Sequence, residues 1–397
     1  MPDRDRTVDF LQRLIRTPGL PGEEEGTAAV VRDEMEALGY DEVSVDEVGN
    51  VVGLVRGEAR RPSLMFNTHL DHVGVGDPER WPHPPFGGEI ADGRVWGRGA
   101  VDIKGPLAAQ VHGVARLLAE GARPPSDVYV SAVVQEEIGG LGARHLAERL
   151  ATDLVVIGEP SSNELRRGHR GRTELRLHAT GRSVHASVPE RGVNPLYVVA
   201  GFLERLPSVS LPEDPELGPT SVAPTLVRTD QVSRNVVPGE VWLTLDVRTG
   251  PDTTPEILRS LLAPALEEAA AAVPGASAEI LVPAVEHTTW TGLVREVPAV
   301  NPSWVRAATD PAVTTAVELL ERAIGSRPPV GLWKFATDGG HFVAHGSTVI
   351  GIGPGDEALA HTVRESIQLS ALDRALDIDE ALARAWPMAW KAAGGEA

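Results

Sequence analysis

Four stretches of the chain, SLMFN (63–67), DVYVSAVVQ (127–135), DLVVIG (153–158) and STVIGIG (347–353), are near-continuous apolar runs and not alternating ones. A strand of that composition must be covered on both faces, which is the situation of a parallel sheet between layers of helix. Helical patterns such as PLAAQVHGVARLLAEG (106–121) lie between the runs and supply that cover. Two further helices are expected in the first forty residues, separated by the Pro/Gly break in RTPGLPGEEE. The pattern predicts an α/β domain with a mostly parallel central sheet.

The middle of the chain reads differently. From about Gly171 to Pro283 the strands alternate polar and apolar residues (TELRLHAT, VWLTLDVR), with helices near 195–206 and 254–271. Alternation of period two belongs to a sheet with one solvated face, so a smaller α+β module is expected to be inserted in the α/β domain. We bound it at 174–286, leaving 1–173 and 287–397 as one discontinuous domain.

The residues just past each buried run carry the chemistry. LMFN leads into THLD with His69 and Asp71; VYVSAVVQ into the pair Glu136–Glu137; DLVVIG into Glu159; and TVIGIG into a Gly/Pro-rich loop ending at His361. Ligands of open α/β sheets bind outside the carboxyl ends of the strands, so four strands deliver imidazole or carboxylate to one edge. Asp102 stands in GRGAVDIKG, immediately before a predicted helix. Any one of these is an ordinary turn or cap residue; together they make a donor set. The chain has no cysteine, which excludes thiol nucleophiles, disulfides and sulfur-bound metals. Oxygen and imidazole donors without sulfur suit Zn²⁺, Co²⁺ or Mn²⁺.

Charge narrows the partners. A formal net charge of −19 argues against nucleic acid or an anionic membrane as the main partner. No stretch reaches the ~18 uncharged apolar residues of a spanning helix, and MPDRDRTVDF lacks an apolar secretory core, so a cytoplasmic protein is expected. HFVAH (His341, His345) lacks the glutamate after the first histidine of a zincin helix, and GRGAVDIKG lacks the spacing of a phosphate loop. His72 reads as a polar loop residue.

The segments THLDHVGVGDPERW, PPFGGEIADGRVWGRGAVDIKGPLAA, QEEIGG and GEPS resemble the M20 metallopeptidase family, as do GRSVHASVPERGVNP, NVVPGEVWLTLDVR and ATDGGHFVAHGSTVIGIGPGDEALAH. That family includes acetylornithine deacetylase, succinyl-diaminopimelate desuccinylase, aminoacylase and a glutamate carboxypeptidase. The resemblance implies a zinc-exopeptidase-like catalytic domain with an inserted lid and dimerisation domain. It implies one Zn²⁺ held by His69, Asp102 and Glu159 and a second by Glu137, Asp102 and His361, with Asp102 bridging and the peptide after it cis. Asp71 would accept the free N–H of the His69 ring, and Glu136 would be the general base and acid. His185 would donate to the oxyanion from the inserted domain, completing the site of a partner subunit in a homodimer. Asn235 and Arg248 would meet the substrate carboxylate or oxyanion, and Thr337 to Gly340, Thr337 and Gly339 in particular, would offer backbone N–H groups.

The expected function is dinuclear zinc-dependent removal of an N-acyl group, acetyl first, from an amino acid. Dipeptidase or carboxypeptidase action and N-carbamoyl hydrolysis are the alternatives on the same site. A non-catalytic binding homologue would lack a ligand or the base, and none is lacking.

Overall fold

The structure, a computed structural model, describes residues 3–396. The chain divides into two compact units: residues 3–169, Glu286–Arg295 and 306–396 form the first, Arg170–Val285 and Glu296–Val305 the second. The sequence reading put 296–305 with the catalytic domain. They group with the second unit because Val300–Asn301 pair antiparallel with the strand Gly171–Thr180.

In the first unit the apolar runs become neighbouring strands in the order Ser126–Val133, Ala59–His69, Leu154–Ile157 and Thr348–Gly351, all parallel. The sheet as a whole is mixed. Val51–Val55 and Glu42–Val45 extend one side and Leu165–His169 the other, each antiparallel to its neighbour. The loop between Val45 and Val51 is too short for a crossover, so those two strands can only pair antiparallel. Phe66, Val130, Val156 and Ile350 are fully excluded from solvent.

The helix Lys104–Ala119 covers this sheet beside the long helix Leu369–Ala392, which also meets the strand Ala59–His69. Every residue from Lys104 to Ala115 is buried, Lys104 included, whose Nζ donates to the carbonyls of Leu14 and Thr17 at 2.8 Å each. A helix buried all round explains its apolar sequence. Its first turn presses on the loop before it: a Cβ on Gly105 would lie 2.4 Å from the carbonyl oxygen of Ala100. Asp102 therefore sits between a buried helix and a packed loop, and the Asp102–Ile103 peptide is cis.

The second unit has an antiparallel sheet in the order Ser221–Thr229, Glu240–Thr249, Gly171–Thr180, Ser277–Leu281. Leu175, Leu177, Leu243 and Leu245 face inward with Val198, Phe202, Leu258 and Leu262 of the helices Leu196–Arg205 and Pro255–Ala271. Thr254 caps the second helix, its hydroxyl accepting from the amide of Ile257. Alternate positions such as Glu174, Arg176 and Thr244 lie on the other face. No helix among the described residues is long and apolar enough to cross a membrane.

Candidate metal centre

The parallel strands bring their carboxyl ends to one edge, where His69 lies opposite Val133 and Asn67 opposite Ile157. Just beyond that edge the expected residues meet in two groups, His69–Asp102–Glu159 and Asp102–Glu137–His361, each with ligand atoms within 4.8 Å of one another. Asp102 belongs to both, one oxygen to each side. Its Oδ1 is 3.2 Å from Nε2 of His69, and its Oδ2 is 3.1 Å from Nε2 of His361. Glu159 approaches the first imidazole at 3.6 Å and Glu137 the second at 3.1 Å. Glu136 is in neither group, and its Oε2 lies 4.0 Å from His69 Nε2. His69 is buried and His361 exposed, so the pair opens to solvent on one side.

Backbone conformation makes this possible at two points. Gln135 and His361 both take positive φ, 57° and 62°, a region few non-glycine residues enter. Gln135 is tied there by its side chain, which donates to the carbonyl of Thr288 and accepts from Nδ1 of His287. In the turn after the glutamate pair, Gly140 has φ 69°, and a Cβ on it would lie 2.7 Å from His341 Nε2 and 3.0 Å from Asp338 Oδ1. The second glycine of QEEIGG is required by both conformation and space.

Asp71 faces both the His69 ring and the turn beyond the neighbouring strand. His69 Nδ1 lies 3.0 Å from the backbone oxygen of Asp71 and 3.4 Å from its carboxylate. The carboxylate also grips that turn: Oδ1 accepts from the amide of Glu136 and Oδ2 from that of Glu137, both at 3.1 Å. A buried acid with both oxygens taken by N–H groups holds the catalytic-edge turn in place.

Electrostatics follow from the crowding. Burial pushes the carboxyls of Glu136 and Glu159 well above the usual range, aided by neighbouring acids and opposed by His69. Glu137 moves up for the same first reason. Burial acts on Asp102 too, but hydrogen bonds from His361 and His69 outweigh it and hold its carboxyl low. His361 is lifted to about 10 by its bonds to Asp102 and Glu137. Divalent cations fit such a cluster. Its donors are hard oxygens and imidazoles, and its acids outnumber the positive groups that face them.

Other expected residues fall elsewhere. The amide of Thr337 donates to Nε2 of His169 at 3.1 Å, and that of Gly339 to its neighbour Oγ1 of Thr337 at 3.1 Å; both residues are buried. Their N–H groups are consumed inside the protein and are not offered to a substrate, which corrects the sequence reading. In the second unit His185 and Asn235 are brought together, with Nε2 and Nδ2 3.4 Å apart, by pairing of Val184–His185 with Val236–Val237. Nδ1 of His185 also lies 2.7 Å from the hydroxyl of Ser187 and 3.2 Å from its amide. Arg248 donates from Nε to Asp246 at 2.8 Å.

Two buried acids escaped the sequence reading. Asp338, inside the TDGG segment, accepts from Asn67 at 3.4 Å, and burial pushes its carboxyl up to about 7. Glu365 accepts from the amides of Val101 and Asp102 at 3.0 and 3.1 Å. The available signal for Glu365 was its place four residues after His361.

A model of the peptidase family M20/M25/M40 matches residues 65–385. The uncharacterized protein YgeY of Escherichia coli (strain K12) is 31% identical over 385 residues, covering 95% of this chain and 93% of that one. A succinyl-diaminopimelate desuccinylase of Caulobacter is 31% identical over 277 residues, covering 66% and 70%. Among solved structures, the Bacillus subtilis YXEP protein, a dinuclear metal-binding peptidase from the M20 family, superposes with a TM-score of 0.72 at 16% identity, covering 96% of this chain and 97% of its own.

Proposed function

The chain belongs to the peptidase family M20/M25/M40 and is a hydrolase of amide bonds, and on that premise we propose that it is a dinuclear zinc enzyme removing an N-acyl group, acetyl first, from an amino acid. The observation that carries this reading is the division of Asp102 between two histidine-bearing groups, with Glu136 beside them and in neither.

His69, Asp102 and Glu159 would hold one Zn²⁺ and Asp102, Glu137 and His361 the other. Bound there, the cations would supply Lewis acidity to the amide carbonyl and lower the pKa of the attacking water. Glu136 takes a proton from that water as its oxygen attacks the acyl carbon. The same carboxyl then passes the proton to the amide nitrogen as the C–N bond breaks, releasing a carboxylic acid and an amine, and the acid then gives its proton to the amine or to solvent. Asp71 keeps Glu136 aimed through its backbone amide.

His185 is the residue suited to donate to the oxyanion, with Asn235 beside its ring. In this reading it does so in the partner subunit of a homodimer. Arg248 keeps the role of meeting the substrate carboxylate. The likeness to a desuccinylase supports N-acyl amino acids as substrates; a dipeptidase, carboxypeptidase or N-carbamoyl hydrolase is the second reading, supported by the likeness to an M20 peptidase.

The test is hydrolysis of matched panels of N-acetyl amino acids, N-carbamoyl amino acids and dipeptides by zinc-loaded protein. Deacetylation should dominate by kcat/KM. Faster turnover of dipeptides moves the assignment to the peptidase reading, and no turnover of any panel removes both.

A further inference from the structure

The shared ligand, like Glu137, Glu159 and His361, lies outside the strands. His69 ends a strand of a parallel ladder, whereas Asp102 lies in a loop between the short strand Arg94–Trp96 and the helix Lys104–Ala119. No β-ladder sets its position, yet its two oxygens must reach opposite imidazoles at 3.2 and 3.1 Å. A small shift that favoured one side would take it from the other.

One side chain meets this demand. Oε1 of Glu365 accepts from the amides of Val101 and Asp102 together, at 3.0 and 3.1 Å. Oε2 is paired with Arg98, and both residues are buried. Arg98 is itself held, donating from Nη2 to the carbonyl of Gly74 at 3.2 Å with its guanidinium 5.0 Å from the centre of the Trp81 ring. The main chain closes the circuit. The carbonyl of Glu365 accepts from the amide of Gly97, and Ser366–Gln368 pair antiparallel with Arg94–Trp96. Since Glu365 lies four residues after His361, one segment carries a terminal ligand and grips the shared one.

A buried ion pair is weak evidence for stability, because desolvation offsets much of its attraction and apolar substitutes often serve as well. Its use here is geometric. We propose that Glu365, braced by Arg98, is the positioning residue for Asp102, and that it sets the affinity of both cation sites at once. The inference rests on the two-site reading of the proposed function and adds a residue outside the ligand set.

The experiment is titration of metal-free protein with Zn²⁺ against a chromogenic chelator, resolving two dissociation constants. Glu365→Ala should raise both by about 10–100-fold, the range for groups that orient a ligand from behind. His361→Ala should raise one and leave the other within about threefold. Glu365→Gln keeps a carbonyl oxygen for the two amides and should fall between Glu365→Ala and the unaltered protein, again at both sites. A merely structural role would lower thermal stability without this paired shift. Folded Glu365→Ala protein with both constants within threefold, or with only one raised, overturns the proposal. If Glu365→Ala does not fold, Glu365→Gln decides: an equal rise at both sites supports it, and constants unchanged within twofold overturn it. Unaltered protein taking up fewer than two Zn²⁺ overturns the two-site reading and this inference with it; two tight sites indifferent to Glu365 overturn the inference alone.

Discussion

The two units carry functional residues in opposite ways. In the first, every candidate ligand except the exposed His361 is buried or backed by a buried acid: Asp71 grips the amides of Glu136 and Glu137, and Glu365 those of Val101 and Asp102. In the second, His185 and Asn235 are exposed and linked to each other and to Ser187 by side-chain contacts. Burial buys geometry at the cost of desolvated charge, and it leaves little freedom to follow a changing substrate. Exposed side chains on a two-residue strand pair keep that freedom and depend on what they meet. The contrast teaches that charge-bearing ions demand a rigid cradle, while transient contacts with a substrate do not.

The largest expected effect tests the rigid half. Glu136→Ala should lower kcat by about 10²–10⁴-fold, with Zn²⁺ content unchanged by elemental analysis. A loss under tenfold at full metal content ends the assignment of Glu136 as proton carrier. His185→Ala should cost about 10²–10³-fold in kcat, as loss of one oxyanion donor does, without moving either zinc affinity. Mixed with Glu136→Ala chains it should recover activity through heterodimers; verified subunit exchange without recovery places His185 outside the partner's site.

Metal removal should separate the units by stability. Zn²⁺ at 100 times its dissociation constant stabilises the folded chain by about 2.7 kcal/mol per site. Chelation should therefore speed hydrogen exchange around His69, Asp102, Glu136–Glu137 and His361 and leave the sheet of the second unit unchanged. Equal loosening of both units would erase the contrast between them. Arg248→Ala should have the smallest effect, about a tenfold rise in KM, or ~1.4 kcal/mol, with kcat nearly retained. A fall in kcat with constant KM would instead give Arg248 a part in the transition state.

Much of the candidate site was legible because its residues are consecutive with strands. An apolar run such as LMFN or DLVVIG declares a covered strand, and the first polar residues after it declare the ligand edge. Asp102 was legible from its glycine-rich loop before a helix. The misreadings share another cause. Thr337 and Gly339 were assigned free N–H groups, but whether an amide is free depends on what lies opposite it, here His169 and the hydroxyl of Thr337. The grip of the Asp71 carboxylate on the amides of Glu136 and Glu137 was hidden for the same reason, since it joins segments 65 residues apart. The antiparallel pairing of Glu42–Val45 with Val51–Val55 comes from a short connection, not from the apolar pattern.

The order of residues along the chain alone determined the α/β class, the sulfur-free donor set and the edge where it gathers, since side-chain polarity and strand composition are local properties. Only the tertiary structure decided which oxygen of Asp102 faces which imidazole, and that Glu365 holds the loop beneath it. Those are relations between groups from 33 to 263 residues apart in the chain, and hydrogen-bond partnership is a property of position in space.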